Sequence, residues 1–266
     1  MIRLVAADMD GTLLDSEKRM PPGMFEAISK LGAQGVRFAA ASGRQYYDLL
    51  RNFPGLWQEM LFICENGAMT FGGGKLLDIR EIPREMLGEP VRLARALPDT
   101  YVILCGEQSA WLESDEPVFR ENAAMYYARL TRVPDVLEAA RDDRICKIAV
   151  FHHRTMEREV YPVLRRFEAR FQVALSGDSW VDLMTPGVNK GGAMRRLQES
   201  LGLTPDECMA FGDYLNDCEL MQAVTYSYGM ANAHPALRAV CRFEAPSNDE
   251  HGVLRVLERV FGLSDD

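Results

Sequence analysis

Two aspartates two positions apart, Asp8 and Asp10, follow a short apolar run at residues 2–7 and precede Gly11. A second polar group, Asp213 with Asn216 and Asp217, follows the apolar run 208–211 far downstream. Carboxylates in this pattern offer hard oxygen ligands suited to Mg²⁺, which usually keeps waters and takes a substrate phosphate besides. Brought together without a cation they would repel one another, so their convergence implies a bound ion. Read in isolation, Asp-x-Asp is more often a turn with a helix N-cap. Position in the fold has to separate the two readings.

Two more groups stand at comparable places. Ser42-Gly43-Arg44 ends the apolar run 36–41, and Lys190 opens a helical pattern over 190–201. A cation at a helix start opposes the helix dipole, and that unfavourable placement hints at an anion nearby. Arg44 either touches a substrate or pairs with an acid.

The elements that must position these residues are legible as periodicities. Residues 2–7, 36–41 and 61–64 read as short buried strands, with helical stretches at 24–31 and 47–53 between them. Alternation of this kind predicts a doubly wound parallel sheet, and ligands of such sheets bind outside the carboxyl ends of the strands. Glycines 72–74, flanked by 69–71 and 75–77, read as a hairpin turn. From about Pro83 the character changes: strands are expected at 101–105, 111–113, 146–151, 172–175 and 181–184, and helices at 86–97, 119–130, 136–141 and 156–170, with a hairpin at 176–179. After Pro186 the alternation resumes, with helices at 190–201, 215–223, 235–240 and 252–261 and strands at 208–211 and 226–229. The expected fold class is α/β, a doubly wound parallel sheet over 1–82 and 186–266 interrupted by an α+β cap over 83–185.

Composition narrows the chemistry. The 266 residues are 47% apolar and 26% charged, as in soluble globular proteins. A net charge of −9 argues against a nucleic-acid partner, which needs clustered Lys and Arg. A small phosphate ester can still bind where a metal ion and one or two fixed cations reverse the sign locally. The six cysteines lack C-x-x-C spacing and read as reduced. No apolar run has transmembrane length and the start lacks a signal-peptide core, so a cytoplasmic location without a membrane partner is expected. His152-His153 lacks partners at ligand spacing, and Tyr126, Tyr127 and Trp180 read as packing residues.

Taken together the motifs resemble those of the haloacid dehalogenase superfamily. Asp8-Met9-Asp10-Gly11-Thr12-Leu13-Leu14 is similar to its first motif, Ser42 in Ala41-Ser42-Gly43-Arg44 to the second, Lys190 in Gly187-Val188-Asn189-Lys190-Gly191 to the third, and Gly212-Asp213-Tyr214-Leu215-Asn216-Asp217 to the fourth. All four occur in the family's order. The length and place of the middle segment resemble the Cof-like subgroup of phosphatases, and Tyr214 departs from the small or amide residue of many relatives. The resemblance implies hydrolysis of small phosphate monoesters, such as sugar phosphates, through an aspartyl-phosphate. Asp8 would be the nucleophile and Asp10 the acid and base. Mg²⁺ would be held at Asp8, Asp10 (through its backbone carbonyl), Asp213 and Asp217, with Asn216 and Asp217 ordering its waters or neighbouring side chains. Ser42, Gly43, Arg44, Lys190 and Asn216 would bind substrate, and a closing cap would exclude water. Asp10 and Asp213 favour phosphoryl transfer over carbon–halogen cleavage, which has no alkoxide to protonate. A phosphomutase and a non-enzymatic phosphoacceptor are the alternatives of the same site.

Overall fold

A computed structural model of the protein describes residues 1–154, 156–176 and 178–263. The chain begins with strand β1 (Leu4–Asp8), the helix Met24–Ala33, β2 (Arg37–Ala41), the helix Tyr46–Arg51 and β3 (Leu61–Cys64), then turns back through β4 (Met69–Gly72) and β5 (Lys75–Ile79). All five residues of β1 and all four of β3 are buried, as expected for strands covered on both faces. The short alanines Ala6, Ala7, Ala39, Ala40 and Ala41 leave room at the sheet's centre for helices on either side. The helix Met24–Ala33 turns Met24, Ala27, Ile28 and Leu31 inward, the spacing of a single helical face.

The inserted segment contains β6 (Thr100–Gly106), β7 (Ala110–Leu112), β8 (Leu130–Arg132), β9 (Ile145–His152), β10 (Gln172–Leu175) and β11 (Trp180–Met184). They form a six-stranded sheet in the order β10-β11-β9-β6-β7-β8. Its pairs are antiparallel except β7 with β8. One face carries Val102, Leu104, Ile148, Val150, Val181 and Leu183, packed with Leu87, Val91, Leu164 and Phe167 from the segment's helices. β12 (Cys208–Gly212), β13 (Tyr226–Met230) and β14 (Phe243–Ala245) return to the first sheet, whose order is β14-β13-β12-β1-β2-β3-β4-β5. Its strands from β14 to β3 run parallel, and β4 pairs antiparallel with β3. The doubly wound α/β sheet and the α+β insertion are both observed.

The chain packs as two compact units, one of Met1–Leu77 with the residues from Asn189 onward, the other Asp78–Val188. The expected limits were 83 and 185. The flanking residues pack with the insertion because they are hydrogen-bonded into it: the Ile82 amide donates to the Ile145 carbonyl at 2.7 Å, Thr185 Oγ1 to the Glu81 carbonyl at 3.2 Å, and Gln172 Nε2 to the Val188 carbonyl at 3.1 Å.

Other elements differ from expectation as well. The helix expected over 119–130 spans Pro117–Tyr126, because Tyr127 takes extended backbone and packs its ring on Trp180, which frees Leu130–Arg132 to pair with β7. The helix expected over 156–170 breaks into a π-helical turn, Met156–Val160, then Tyr161–Leu164 and a 3₁₀ turn, Arg165–Phe167. Pro162 is the second residue of the middle piece, where its missing N–H cannot continue the preceding turn. β14 was not foreseen, since its first two residues are exposed and only Ala245 is buried. The β10–β11 hairpin is present, with Gly177 of its turn outside the described residues. Among the described residues no helix is long and apolar enough to cross a membrane.

Candidate active site

β1 lies between β12 and β2, with Ala7 level with Phe211 and Asp8 level with Ala41. Asp8 at the end of β1, Asp213 just after β12 and Ser42 just after β2 therefore leave the sheet at one edge. The helix Lys190–Leu201 delivers the cation. Asn189 caps it, its Oδ1 accepting from the Gly192 amide at 2.7 Å, and Lys190, the first helical residue, is fully buried.

Lys190 Nζ donates to Asp8 Oδ1 at 2.6 Å and to Asp217 Oδ1 at 2.7 Å. The other oxygen of Asp217 accepts from the amides of Asp213 at 3.2 Å and Tyr214 at 3.4 Å, so this one carboxylate fixes both the lysine and the loop after β12. Asp8, Asp213 and Asp217 each present an oxygen within 4.8 Å of the other two. Thr12 Oγ1 donates to Asp213 Oδ1 at 3.0 Å. Gly11, at φ +81, lies so close that a Cβ there would run into the Asp213 carboxylate, and a Cβ on Gly212 would strike that of Asp217.

Two carboxylates share one ammonium here, and a third lies beside them. Burial pushes Asp8 up to about 8, against the pull of Lys190 and helped by Asp217 and Asp213. Burial, then Asp217, also raises Asp213. For Lys190 burial opposes the charge, but Asp217 and Asp8 overcome it and hold the lysine above its usual range. The pocket is short of positive charge. Its hard oxygens and surplus negative charge fit a divalent cation, which would favour the ionised form of every carboxylate in it.

Asp10 stands apart from this group. Its carboxylate receives Arg44 Nε at 2.8 Å and Nη2 at 2.6 Å, and Lys18 Nζ at 2.7 Å. Partial burial works against its charge, but the two cations overcome it and hold Asp10 below the usual carboxylate range. Of the four expected metal residues, the side chains of Asp8, Asp213 and Asp217 come together and that of Asp10 does not. Arg44, which also reaches Asp48 at 3.3 Å, pairs with acids. Lys18 and Thr12 were missed from sequence. Thr12 lies inside the first motif, which marked it only as a neighbour of Asp10. Lys18 had no spacing signal: it sits at φ +63 in a turn pinned by Asp15, whose carboxylate accepts the amides of Glu17 at 2.9 Å and Arg19 at 2.8 Å.

The remaining candidates form a polar rim. Ser42 Oγ accepts from the Arg44 amide at 3.2 Å, and its carbonyl accepts from the Asn66 amide at 3.0 Å. Gly43 packs against the Asn66 side chain, to which Asn216 Nδ2 donates at 3.2 Å. His153, by contrast, meets Glu116 at 3.2 Å within the insertion, and no metal-type cluster forms around it among the described residues.

Residues 5–257 match the family of haloacid dehalogenase-like hydrolases. The 5-amino-6-(5-phospho-D-ribitylamino)uracil phosphatase of Escherichia coli K12 is 33% identical over 97% of this chain and 96% of its own. The HMP-PP phosphatase of Cronobacter sakazakii is 30% identical over 90% and 88%. Among solved structures, a protein from Eubacterium rectale superposes with a TM-score of 0.89 at 28% identity, covering 97% of this chain and 99% of that one. On the family match and these near full-length relatives, the chain belongs to the haloacid dehalogenase-like hydrolases, among their phosphatases.

Proposed function

We propose that this protein is a magnesium-dependent phosphatase that hydrolyses small phosphate monoesters through a phosphoryl group carried on Asp8. The observation that carries the reading is the Asp8 carboxylate, held on Lys190 at 2.6 Å beside two further carboxylates. Asp8, Asp213 and the backbone carbonyl of Asp10 would hold the ion, with Asp217 fixing Lys190 and the Asp213 loop. When bound, Mg²⁺ supplies a Lewis acid that offsets charge on a phosphoryl oxygen.

In the first step an oxygen of Asp8 bonds to phosphorus as the ester P–O bond breaks, and the leaving alkoxide takes a proton from Asp10. In the second, water attacks phosphorus and gives a proton to Asp10, the bond to Asp8 breaks, and inorganic phosphate leaves. The pairing of Asp10 with Arg44 and Lys18 is the arrangement of the base. Its donor role requires the anionic substrate to draw at least one of these cations away. Lys190 holds Asp8 in line and neutralises charge on the phosphoryl oxygens, while the Ser42 hydroxyl, which accepts from Arg44, keeps its own proton for donation.

A phosphate-release screen across sugar phosphates, ribityl phosphates, nucleotides and cofactor phosphates, with and without Mg²⁺, tests the reading. Metal-dependent release of free phosphate supports it, and an isomerised ester in place of phosphate would replace it with mutase chemistry. The absence of turnover with every ester would leave a phosphoacceptor.

A further inference from the structure

Tyr214 directly follows Asp213, and the residue is 57% exposed. Its backbone is nonetheless fixed. The amide donates to the Asp217 carboxylate that also holds Lys190, and the carbonyl accepts from the Asp217 amide at 3.0 Å. The ring meets that of His234 edge to face, centroids 5.7 Å apart at 82°. His234 is itself tied down: its amide donates to the Asp213 carbonyl at 2.8 Å, and its Nδ1 accepts from the Ala236 amide at 3.1 Å. An aromatic ring is thus braced beside the acid cluster, with much of its surface left to solvent.

The other side chains named at this edge of the sheet are of another kind. Lys18, Arg44, Asn66, Asn216 and Asn232 are charged or amide side chains, engaged with Asp10, with one another or, for Asn232, with the Gly11 carbonyl at 2.8 Å. Among the described residues, Tyr214 and its neighbour Leu215, itself 43% exposed, are exposed large apolar residues that follow Asp213 directly in the chain. A pre-oriented ring in that position loses little freedom on stacking and favours a flat π-system over a flexible polyol. We infer that Tyr214 is a specificity residue whose ring stacks on a planar unsaturated ring in the leaving group, so that the site selects phosphate esters of ring-bearing alcohols. This deepens the phosphatase reading and rests on it.

The test compares flavin mononucleotide with ribitol 5-phosphate, two esters that present the same ribityl phosphate and differ by the planar ring. Steady-state kcat/KM with Mg²⁺ is measured for the wild-type protein and for Tyr214→Phe, Tyr214→Leu and Tyr214→Ala. The wild type prefers the flavin ester. Tyr214→Phe keeps that preference, while Tyr214→Ala and Tyr214→Leu cut the ratio of the two kcat/KM values by about tenfold, the loss of one stacked pair. Equal loss on both esters in Tyr214→Ala would overturn the inference and leave the residue as a brace for the Asp213 loop. So would a wild-type protein that does not favour the flavin ester. Hydrolysis of ribitol 5-phosphate, or of any other ester in the screen, in a protein without ring preference sinks the inference alone. Failure to release phosphate from every ester sinks the phosphatase reading and the inference with it.

Discussion

Among the described residues two lysines lie buried, one in each unit, and they differ in what surrounds them. Lys147 on β9 faces Asp182 on β11 at 3.6 Å and lies over the Tyr127 ring, 5.4 Å from its centroid. Lys190 stands between Asp8 and Asp217 at hydrogen-bond distance, with Asp213 alongside. Each burial costs several kcal/mol of desolvation that close partners must offset. In the insertion Lys147 faces Asp182 across the sheet, whereas at the edge of the parallel sheet Lys190 bonds two carboxylates and a third presents an oxygen within 4.8 Å of theirs. Buried charge by itself therefore does not mark a site. The surplus of one sign does, because it leaves the pocket to be completed by an ion of the other.

Replacing the nucleophile breaks the comparison most directly. Asp8→Asn keeps the volume and removes the attacking oxygen, so steady-state phosphate release falls on the order of 10³-fold or more while the far-UV spectrum is retained. Comparable activity in the purified variant would remove Asp8 from the chemistry. Paired neutralisation separates the two lysines next. Lys147→Met with Asp182→Leu unfolds within about 1 kcal/mol of the wild type in urea, since a buried pair exchanged for apolar residues is often neutral. Lys190→Met with Asp217→Leu abolishes turnover and leaves the Asp213 and Tyr214 amides without their acceptor, at about 1–3 kcal/mol each. Loss of turnover in the Lys147 pair would show that both lysines serve the reaction.

The pH dependence of stability sharpens the same contrast. In metal-free protein burial pushes Asp8 up to about 8 from the 3.8 of an ordinary aspartate. Across that window the folded state holds a proton that the unfolded chain has lost, so stability falls as pH rises and this penalty is complete above the folded value. Urea midpoints in chelator should therefore drop between about pH 5 and pH 8, and Mg²⁺, by favouring the ionised carboxylate, should flatten the slope. A flat profile without metal would show that Lys190 already balances the pocket. The smallest effect belongs to Lys18, which is exposed and solvent-screened. Lys18→Ala should lower kcat/KM by about two- to fivefold, the range of an exposed ion pair.

Much of this arrangement was legible beforehand. The limits of Leu61–Cys64, Lys190–Leu201 and Gly252–Phe261 were read correctly, because each is bounded by clear polar or glycine signals. Asp8, Asp213, Asp217 and Lys190 were singled out because strand ends and a helix start are recognisable from local pattern. Lys18 escaped notice because a lysine in a polar turn looks like any other solvated charge. Asp10 was read as the acid and base and as a metal ligand through its backbone carbonyl, and nothing in an Asp-x-Asp spacing announced that its carboxylate would meet Arg44 and Lys18. The break in 156–170 and the strand Leu130–Arg132 were missed because they depend on Pro162 and on where Tyr127 packs.

Apolar runs of strand length, helix-period segments and four polar groups between them are properties of neighbours in the chain. The sequence therefore determined the α/β class, the insertion and the family by itself. Which of the acids would share one ammonium was decided only when β12, β1 and β2 set their register and a helix start brought Lys190 to Asp8 across 182 residues. Charge balance in a pocket is a sum over distant residues, and no local pattern contains it.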